Sequence, residues 1–128
     1  MPLARIQITG QKPAAYKRAL ISTTRAAIVE GLGALDERVV VRLSVDDAEC
    51  VDVPACRTDR FTLVEVLLYE GRSEETKRVF AQLLRARLSQ DPGIEPSEVA
   101  VALHDLSKVD LDVLPGEAGS SSPSDTTR

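Results

Sequence analysis

The stretch that decides the fold is Pro2-Leu3-Ala4-Arg5-Ile6-Gln7-Ile8-Thr9. In an extended chain its apolar even-numbered residues, Ala4, Ile6 and Ile8, all point to one side. The odd-numbered residues point to the other side, and three of them are polar. A period of two is typical of a strand with one buried and one exposed face. We therefore predict that the chain begins with a half-buried β-strand.

The proline directly after Met1 could give this first strand a chemical role. An initiator methionine before proline is expected to be removed during maturation, which would leave Pro2 at the N-terminus. Its nitrogen would then be an amine rather than an amide, and an α-amino group has a pKa of about 7.7–8.0. Burial and neighbouring charges can tune such a group for proton transfer near neutral pH. Pro2 is therefore a candidate catalytic residue, although many proteins carry proline at this position by chance.

Composition excludes several classes of function. The chain has 128 residues with a net charge of −4 and 3% aromatic residues, which suits one domain and gives little support for nucleic-acid binding. No apolar run approaches the ~20 residues needed to span a bilayer, and the N-terminus lacks the pattern of a signal peptide. We therefore expect a cytoplasmic protein. The cysteines Cys50 and Cys56 and the only histidine, His104, do not form a metal-binding pattern, so we expect no metal.

The rest of the chain alternates between predicted strands and helices. Gly31 and Gly33 are expected to end the first helix, and Ser73 is a plausible N-cap for the second helix. The predicted elements after the first strand are a helix over about 14–31, a strand over 39–45, a polar loop over 46–60 with a possible short edge strand near 50–53, a strand over 61–69, a helix from about 74 to 90 and a strand over 98–104. The Gly/Ser/Pro-rich segment 116–128 is expected to be a disordered tail behind a domain of residues 1–115.

This order predicts an α+β fold with an α/β-like layering. Two successive β-α-β units would give one four-stranded sheet with both helices on one face. The opposite face of the sheet would then be bare. An apolar face of that size is most simply covered by another copy of the chain, which argues for a homo-oligomer.

Several segments, taken in order, carry a resemblance to a known family. They are the opening Met1-Pro2-Leu3, the helical segment 25–30, the turn Gly71-Arg72-Ser73 with the helix after it, and the run 93–99 that leads into the last strand. With these segments the chain resembles the tautomerase superfamily, and within it the malonate semialdehyde decarboxylase-like group. The resemblance implies a tautomerase-like fold, a homotrimer and cofactor-free chemistry in which the N-terminal proline acts as a general acid or base.

The resemblance also implies a set of site residues. Pro2 matches the catalytic proline, and Arg72 matches the second arginine of the decarboxylase turn Arg-Gly-Arg, which here is Glu70-Gly71-Arg72. The first arginine is thus replaced by Glu70, so a clamp of two arginines on a carboxylate is not available. Glu70 could serve as an added acid or base, could pair with Arg72 or could face solvent. The family aspartate after the first helix falls on Asp36 or Glu37, and the residues leave that choice open.

Two further positions belong to the implied site. Tyr69, at the end of the third strand, would lie near Pro2 in the expected fold and is a candidate substrate-binding residue. The Asp-Trp-Ser segment of the decarboxylase corresponds here to Asp110-Leu111-Asp112, so its aromatic side chain is missing.

These features leave three functions open. The first is keto-enol isomerisation of a small oxo or enol compound, with Pro2 moving the proton, Arg72 holding an anionic group and Asp36 or Glu37 orienting water or polarising the amine. The second is decarboxylation or hydration of a short oxo acid, which would need a second cation from Lys12, Arg38 or Arg42. The third is a trimeric binding module that has lost the chemistry.

Overall fold

The computed structural model describes residues 2–111. Four strands and two long helices lie within this range. They are β1 at Leu3–Thr9, α1 at Ala14–Leu32, β2 at Val40–Asp46, β3 at Thr62–Tyr69, α2 at Glu74–Gln90 and β4 at Val99–Leu106, with short 3₁₀ helices at Asp36–Arg38, Ala48–Cys50 and Pro96–Glu98. The tail expected at 116–128 lies outside the described residues.

The strands form one mixed sheet in the order β2-β1-β3-β4. β1 pairs with β2 in parallel, with Leu3 beside Val40, and β3 pairs with β4 in parallel. The two β-α-β units meet in the middle of the sheet, where β1 and β3 are antiparallel and Leu3 lies beside Leu67. The predicted four-stranded sheet with two helices on one face is confirmed.

The core lies between the sheet and the helices. The apolar even-numbered side chains of β1 are buried there, as the alternation predicted. The buried residues of the helices are Leu20, Thr24, Ala27, Ile28 and Leu32 on α1 and Phe80, Leu84 and Leu88 on α2. Their spacing of three and four residues places them on one stripe of each helix, which is the reason that these segments fold as helices against the sheet.

Gly33, and not Gly31, ends the first helix. Gly33 adopts the left-handed conformation with φ 68° directly after Leu32, which glycine tolerates without a steric penalty. Gly31 lies within the helix, and a Cβ atom added there would be only 3.0 Å from Cδ1 of Phe80. The prediction that Gly31 helps to end the helix was therefore wrong. Its physical role is to let α2 approach α1 closely.

The polar loop between β2 and β3 differs from expectation in one detail. The prediction of a possible short edge strand near residues 50–53 was wrong. The described loop contains instead the 3₁₀ turn Ala48–Cys50, in which the Cys50 N–H donates to the Asp47 carbonyl at 2.8 Å. The carboxylates at Asp47 and Glu49 disfavour an edge strand, because aspartate and glutamate are depleted in strands and aspartate favours turns.

The sheet face opposite the helices carries no further layer within residues 2–111. Apolar side chains on this open face, such as Leu3, Leu67 and Ala102, are only partly buried. A polar row crosses it, in which Arg5 Nη2 lies 3.4 Å from Glu65 Oε1 and His104 Nε2 lies 3.3 Å from Glu65 Oε2. No helix in the described part of the chain is long and apolar enough to cross a membrane.

One end of the sheet gathers the predicted site residues. β1 and β2 begin there, whereas β3 and β4 end there, because β1 and β3 are antiparallel and each parallel pair runs in register. The helices run back along the sheet, so α1 ends and α2 begins at this same end. We call it the Pro2 end of the sheet.

Candidate active site

Pro2 is buried at the start of a central strand. Its carbonyl oxygen accepts a hydrogen bond from the Val40 N–H at 3.2 Å, which extends the β1–β2 ladder by one step. The residue is thus held by β2, and the pairing of Leu3 with Leu67 places it next to the end of β3. A terminal amine at this position would be fixed against the sheet rather than free in solvent, so its pKa would respond to burial and to nearby charges.

Arg72 follows β3 at the Pro2 end and is half-buried. Its Nε donates to the Leu32 carbonyl at 3.1 Å, and its Nη1 donates to the Tyr69 carbonyl at 3.3 Å. The guanidinium therefore ties the last turn of α1, where helix carbonyls lack intrahelical partners, to the end of β3. These contacts fix its orientation. Within residues 2–111 its hydrogen bonds use Nε and Nη1, so Nη2 could still bind an anion.

Asp105, rather than Glu70, is the carboxylate that acts on Arg72. Burial lowers the pKa of the Arg72 guanidinium from its usual value, and the negative charge of Asp105 opposes that shift. Asp105 also forms an ion pair with Lys77 of α2. Glu70 is exposed, and its N–H continues the ladder by donating to the Leu106 carbonyl at 2.9 Å. No ion pair joins Glu70 to Arg72 in the described chain, so of the three roles open to Glu70 the solvent-facing one agrees with the structure.

Asp36 and Glu37 lie in the 3₁₀ turn just before β2, at the Pro2 end. The Asp36 side chain is 72% exposed and pairs with Arg25 of α1, whose Nη1 lies 3.2 Å from Asp36 Oδ1. Glu37 is exposed. Asp36 is therefore the carboxylate with a defined position, held by a residue eleven positions earlier in the chain.

Tyr69 is the last residue of β3, and its side chain lies on the open face of the sheet. It is partly buried. The Lys108 ammonium lies 5.8 Å from the centre of its ring, a distance at which a cation is attracted to an aromatic face. Lys108 follows β4, so it adds a further positive charge at the Pro2 end.

The three cations predicted as possible second contacts to a substrate carboxylate lie in different parts of the sheet. The Lys12 ammonium donates to the Thr9 carbonyl at 2.6 Å, at the opposite end of the sheet. Arg42 lies beside Arg5 in the middle of the sheet. Only Arg38 of the three, in the 3₁₀ turn before β2, lies at the Pro2 end. No group of histidine, cysteine and carboxylate side chains suited to a metal ion occurs among residues 2–111.

Asp105, Lys77 and Arg25 were not among the residues predicted for this end of the sheet. Asp105 lay outside the predicted last strand, which was ended at residue 104, although the strand continues to Leu106. Continuing the predicted strand by two residues would have included Asp105, which lies beside Leu68 at the Pro2 end. Lys77 and Arg25 had no such signal, because their partners are 28 and 11 residues away and meet them only in the folded chain.

The geometry agrees with comparisons to known proteins. A sequence family described as "Tautomerase enzyme" matches residues 43–111, which is more than half of the chain. The chain belongs to this tautomerase family. The predicted superfamily and its malonate semialdehyde decarboxylase-like group are thereby confirmed. A comparison with curated protein sequences gives no match.

Several solved structures superpose well on this tautomerase-family chain. A malonate semialdehyde decarboxylase with decarboxylase and hydratase activities is 25% identical, with 89% of this chain and 92% of that chain covered and a TM-score of 0.80. A fused 4-OT that forms a symmetric trimer is 30% identical, with 85% and 89% covered and a TM-score of 0.76. A third protein, inactivated by 2-oxo-3-pentynoate, is 26% identical, with 85% and 89% covered and a TM-score of 0.77.

Proposed function

We propose that this tautomerase-family protein is a cofactor-independent enzyme that isomerises a small oxo or enol compound between its keto and enol forms, with Pro2 as the general acid or base. The observation that carries the proposal is the burial of Pro2 at the start of the central strand β1, at the same end of the sheet as Arg72. Removal of Met1 would turn the Pro2 nitrogen into a secondary amine. We propose the domain of residues 1–115 as the unit of this activity, working in the cytoplasm.

The proposed reaction moves one proton between carbon and oxygen. The free Pro2 amine takes the enol hydroxyl proton, or a proton α to the carbonyl in the reverse direction, and then returns a proton to the other atom. Arg72 holds a carboxylate of the substrate through Nη2, since Nε and Nη1 keep the guanidinium in place. Asp36, or Glu37 beside it, orients water or polarises the amine, and the Tyr69 ring forms part of the wall of the site.

A second activity, decarboxylation or hydration of a short oxo acid, is the alternative. The similarity to a malonate semialdehyde decarboxylase favours it. The presence of Arg38 and Lys108 at the Pro2 end favours it too, because either could supply the second cation in place of the arginine that Glu70 replaces. Exposed Glu70 argues against a clamp of the Arg-Gly-Arg kind. Loss of decarboxylation on neutralising Arg38 and Lys108, with isomerisation retained, would assign the two activities to separate cations.

We further propose that the chain acts as a homotrimer. The open face of the sheet supports this, because its partly exposed leucines and alanines would be covered by other copies, and the similar fused 4-OT is a trimer. Replacing Leu67 with aspartate places a charge on that face while the helix-side core is untouched. Analytical ultracentrifugation should then give a smaller molecular mass for the variant than for the wild type. An unchanged mass would show that this face is not part of the interface between copies.

The direct test compares wild type with Pro2→Ala on phenylenolpyruvate, followed by loss of the enol absorbance. We expect the variant to lose at least about two orders of magnitude in kcat/KM, the range of a general acid or base. Pro13→Ala, at the start of α1, is the matched control and should remain active. Equal rates for wild type and Pro2→Ala would remove Pro2 from the mechanism.

Mass spectrometry of the mature protein separates the enzyme from a non-catalytic binding module. A retained Met1 would keep the Pro2 nitrogen as an amide, which cannot act as a base, and would favour the binding module. An N-terminal proline is the result expected for the enzyme.

A further inference from the structure

Arg25 bridges the first helix and the start of β2 with a single guanidinium. Its Nη1 donates to the Asp36 carbonyl at 2.8 Å and to Asp36 Oδ1 at 3.2 Å, and its Nη2 donates to the Val39 carbonyl at 2.8 Å. The planar guanidinium carries these two nitrogens in a rigid fork. The two ends of the segment 36–39 are therefore held at a fixed distance from each other and from α1.

This segment leads directly to the backbone of Pro2. Val39 is followed by Val40, whose N–H donates to the Pro2 carbonyl at 3.2 Å. One peptide unit thus accepts from Arg25 through its carbonyl and donates to Pro2 through its N–H. A shift of that peptide would move the hydrogen bond that aligns the start of β1.

The backbone contacts of Arg25 are more important than its ion pair. The Asp36 side chain is 72% exposed, and an ion pair so exposed contributes little because water and salt screen it. The two carbonyl contacts are charge-assisted hydrogen bonds, which are stronger than neutral ones. The last turn before β2 also depends on the Asp36 carbonyl, which accepts from the Val39 N–H at 3.2 Å as well.

We propose that Arg25 is a positioning residue for the Pro2 amine. By fixing the Val39–Val40 peptide, it sets where the N-terminus lies on the sheet, and it also holds the Asp36 carboxylate in place. The catalytic consequence rests on the proposed function of Pro2, whereas the structural consequence does not. A lysine cannot replace Arg25 fully, because one ammonium cannot span both carbonyls with the same fixed geometry.

The test uses Arg25→Gln and Arg25→Lys in the full chain, with Arg18→Gln as the control. Arg18 is an exposed residue of the same helix, so the control removes the same charge. Hydrogen exchange of the Val40 amide is the readout that needs no activity. We expect it to be about tenfold faster in Arg25→Gln, as for the loss of a charge-assisted hydrogen bond, with a smaller increase in Arg25→Lys and no change in Arg18→Gln. The amide of Leu84, in the core of α2, should be unaffected in all three.

Asp36→Asn separates the two kinds of contact. It removes the carboxylate charge but keeps both carbonyl acceptors, so exchange at Val40 should remain as in the wild type. Faster exchange in Asp36→Asn, equal to that in Arg25→Gln, would overturn the proposal that the backbone contacts position the strand.

The second readout is the rate at which 2-oxo-3-pentynoate labels the Pro2 amine. The amine nitrogen adds to the alkyne carbon β to the ketone, the triple bond becomes a double bond, and the amine proton moves to the α-carbon, so one reagent is added and nothing is lost. We expect labelling in Arg25→Gln to be about five- to tenfold slower, and the pH profile of the labelling rate to be shifted. In the isomerisation assay, we expect kcat to fall by a larger factor than any rise in KM. Labelling and Val40 exchange that both equal the wild type would overturn the proposal, as would faster exchange with unchanged labelling. If Pro2→Ala keeps wild-type activity while Arg25→Gln loosens Val40 and slows labelling, the proposed function fails and the positioning role stands.

Discussion

Replacement of Arg72 with glutamine tests how far this residue is structural and how far it is functional. The change removes the hydrogen bonds from Nε to the Leu32 carbonyl and from Nη1 to the Tyr69 carbonyl. A hydrogen bond from a charged donor contributes about 1.5–3 kcal/mol when buried. Because Arg72 is only half-buried, we expect about 2 kcal/mol for the pair rather than the sum of two full values. At about 4 °C for each kcal/mol in a domain of this size, the melting temperature should fall by about 8 °C.

The assay is thermal unfolding followed by circular dichroism, with Arg78→Gln as the matched control. Arg78 lies on the exposed surface of α2, where it pairs with Glu75, and an ion pair of that kind contributes about 0.5 kcal/mol or less. Arg72→Lys should lie between the two, since an ammonium can reach one carbonyl. If Arg72→Gln melts within about 1–2 °C of the wild type, the two backbone contacts do not hold the guanidinium, and its orientation at the site would have no structural support.

The same variant has a separate prediction for activity. Loss of a carboxylate contact through Nη2 should raise KM for an anionic substrate by about tenfold or more, measured at a temperature where the variant is fully folded. A lowered melting temperature with unchanged KM would make Arg72 a purely structural residue and would leave the anion site to Arg38 or Lys108.

Three further changes test the packing and the electrostatics of the fold. Gly31→Leu should destabilise the protein by about 3 kcal/mol in denaturant unfolding, because even a Cβ atom there would lie 3.0 Å from Phe80; a stable variant would contradict the close approach of the helices. Ser73→Ala removes the cap in which Ser73 Oγ accepts from the Thr76 N–H at 3.1 Å and should cost about 1 kcal/mol in the same assay; no change would exclude the cap. Burial raises the pKa of the Tyr16 phenol above its usual value, so the folded state favours the protonated phenol. The contribution of Tyr16 protonation to the free energy of unfolding is therefore complete below about pH 10 and is lost as the pH rises from there through the raised pKa. Subtracting the alkaline absorbance titration of Tyr16→Phe from that of the wild type should reveal this late ionisation, and a normal titration would contradict the burial.

The Pro2 end of the sheet explains why charges that are distant in sequence act together. β1 and β3 are antiparallel, so the start of one strand meets the end of the other, and the two helices add the last turn of α1 and the first turn of α2. Arg72 and Arg25 both donate to backbone carbonyls at this end. Both cations therefore hold the backbone frame around Pro2.

The sequence by itself determined the elements and their faces. The alternation of Ala4, Ile6 and Ile8 predicted the buried side of β1. In the same way, the four-residue spacing of Phe80, Leu84 and Leu88 places these buried residues on one face of α2, because local geometry alone relates such spacing to one face. Through the family resemblance it also led to the prediction that Pro2 and Arg72 are site residues. These are short-range properties, in which each residue constrains its neighbours along the chain.

Only the tertiary structure decided which of these residues meet. The antiparallel pairing of β1 with β3 brings Pro2 beside the end of β3, and no local pattern encodes that pairing. The same holds for Arg25 with Asp36 and for Asp105 with Arg72, whose partners come from different elements. Gly31 shows the limit most clearly: the sequence predicted a helix end, whereas the Phe80 ring from another helix lies so close that a Cβ atom there would be crowded. Contacts between elements depend on the sum of packing over the whole core, so a single stretch of sequence cannot specify them.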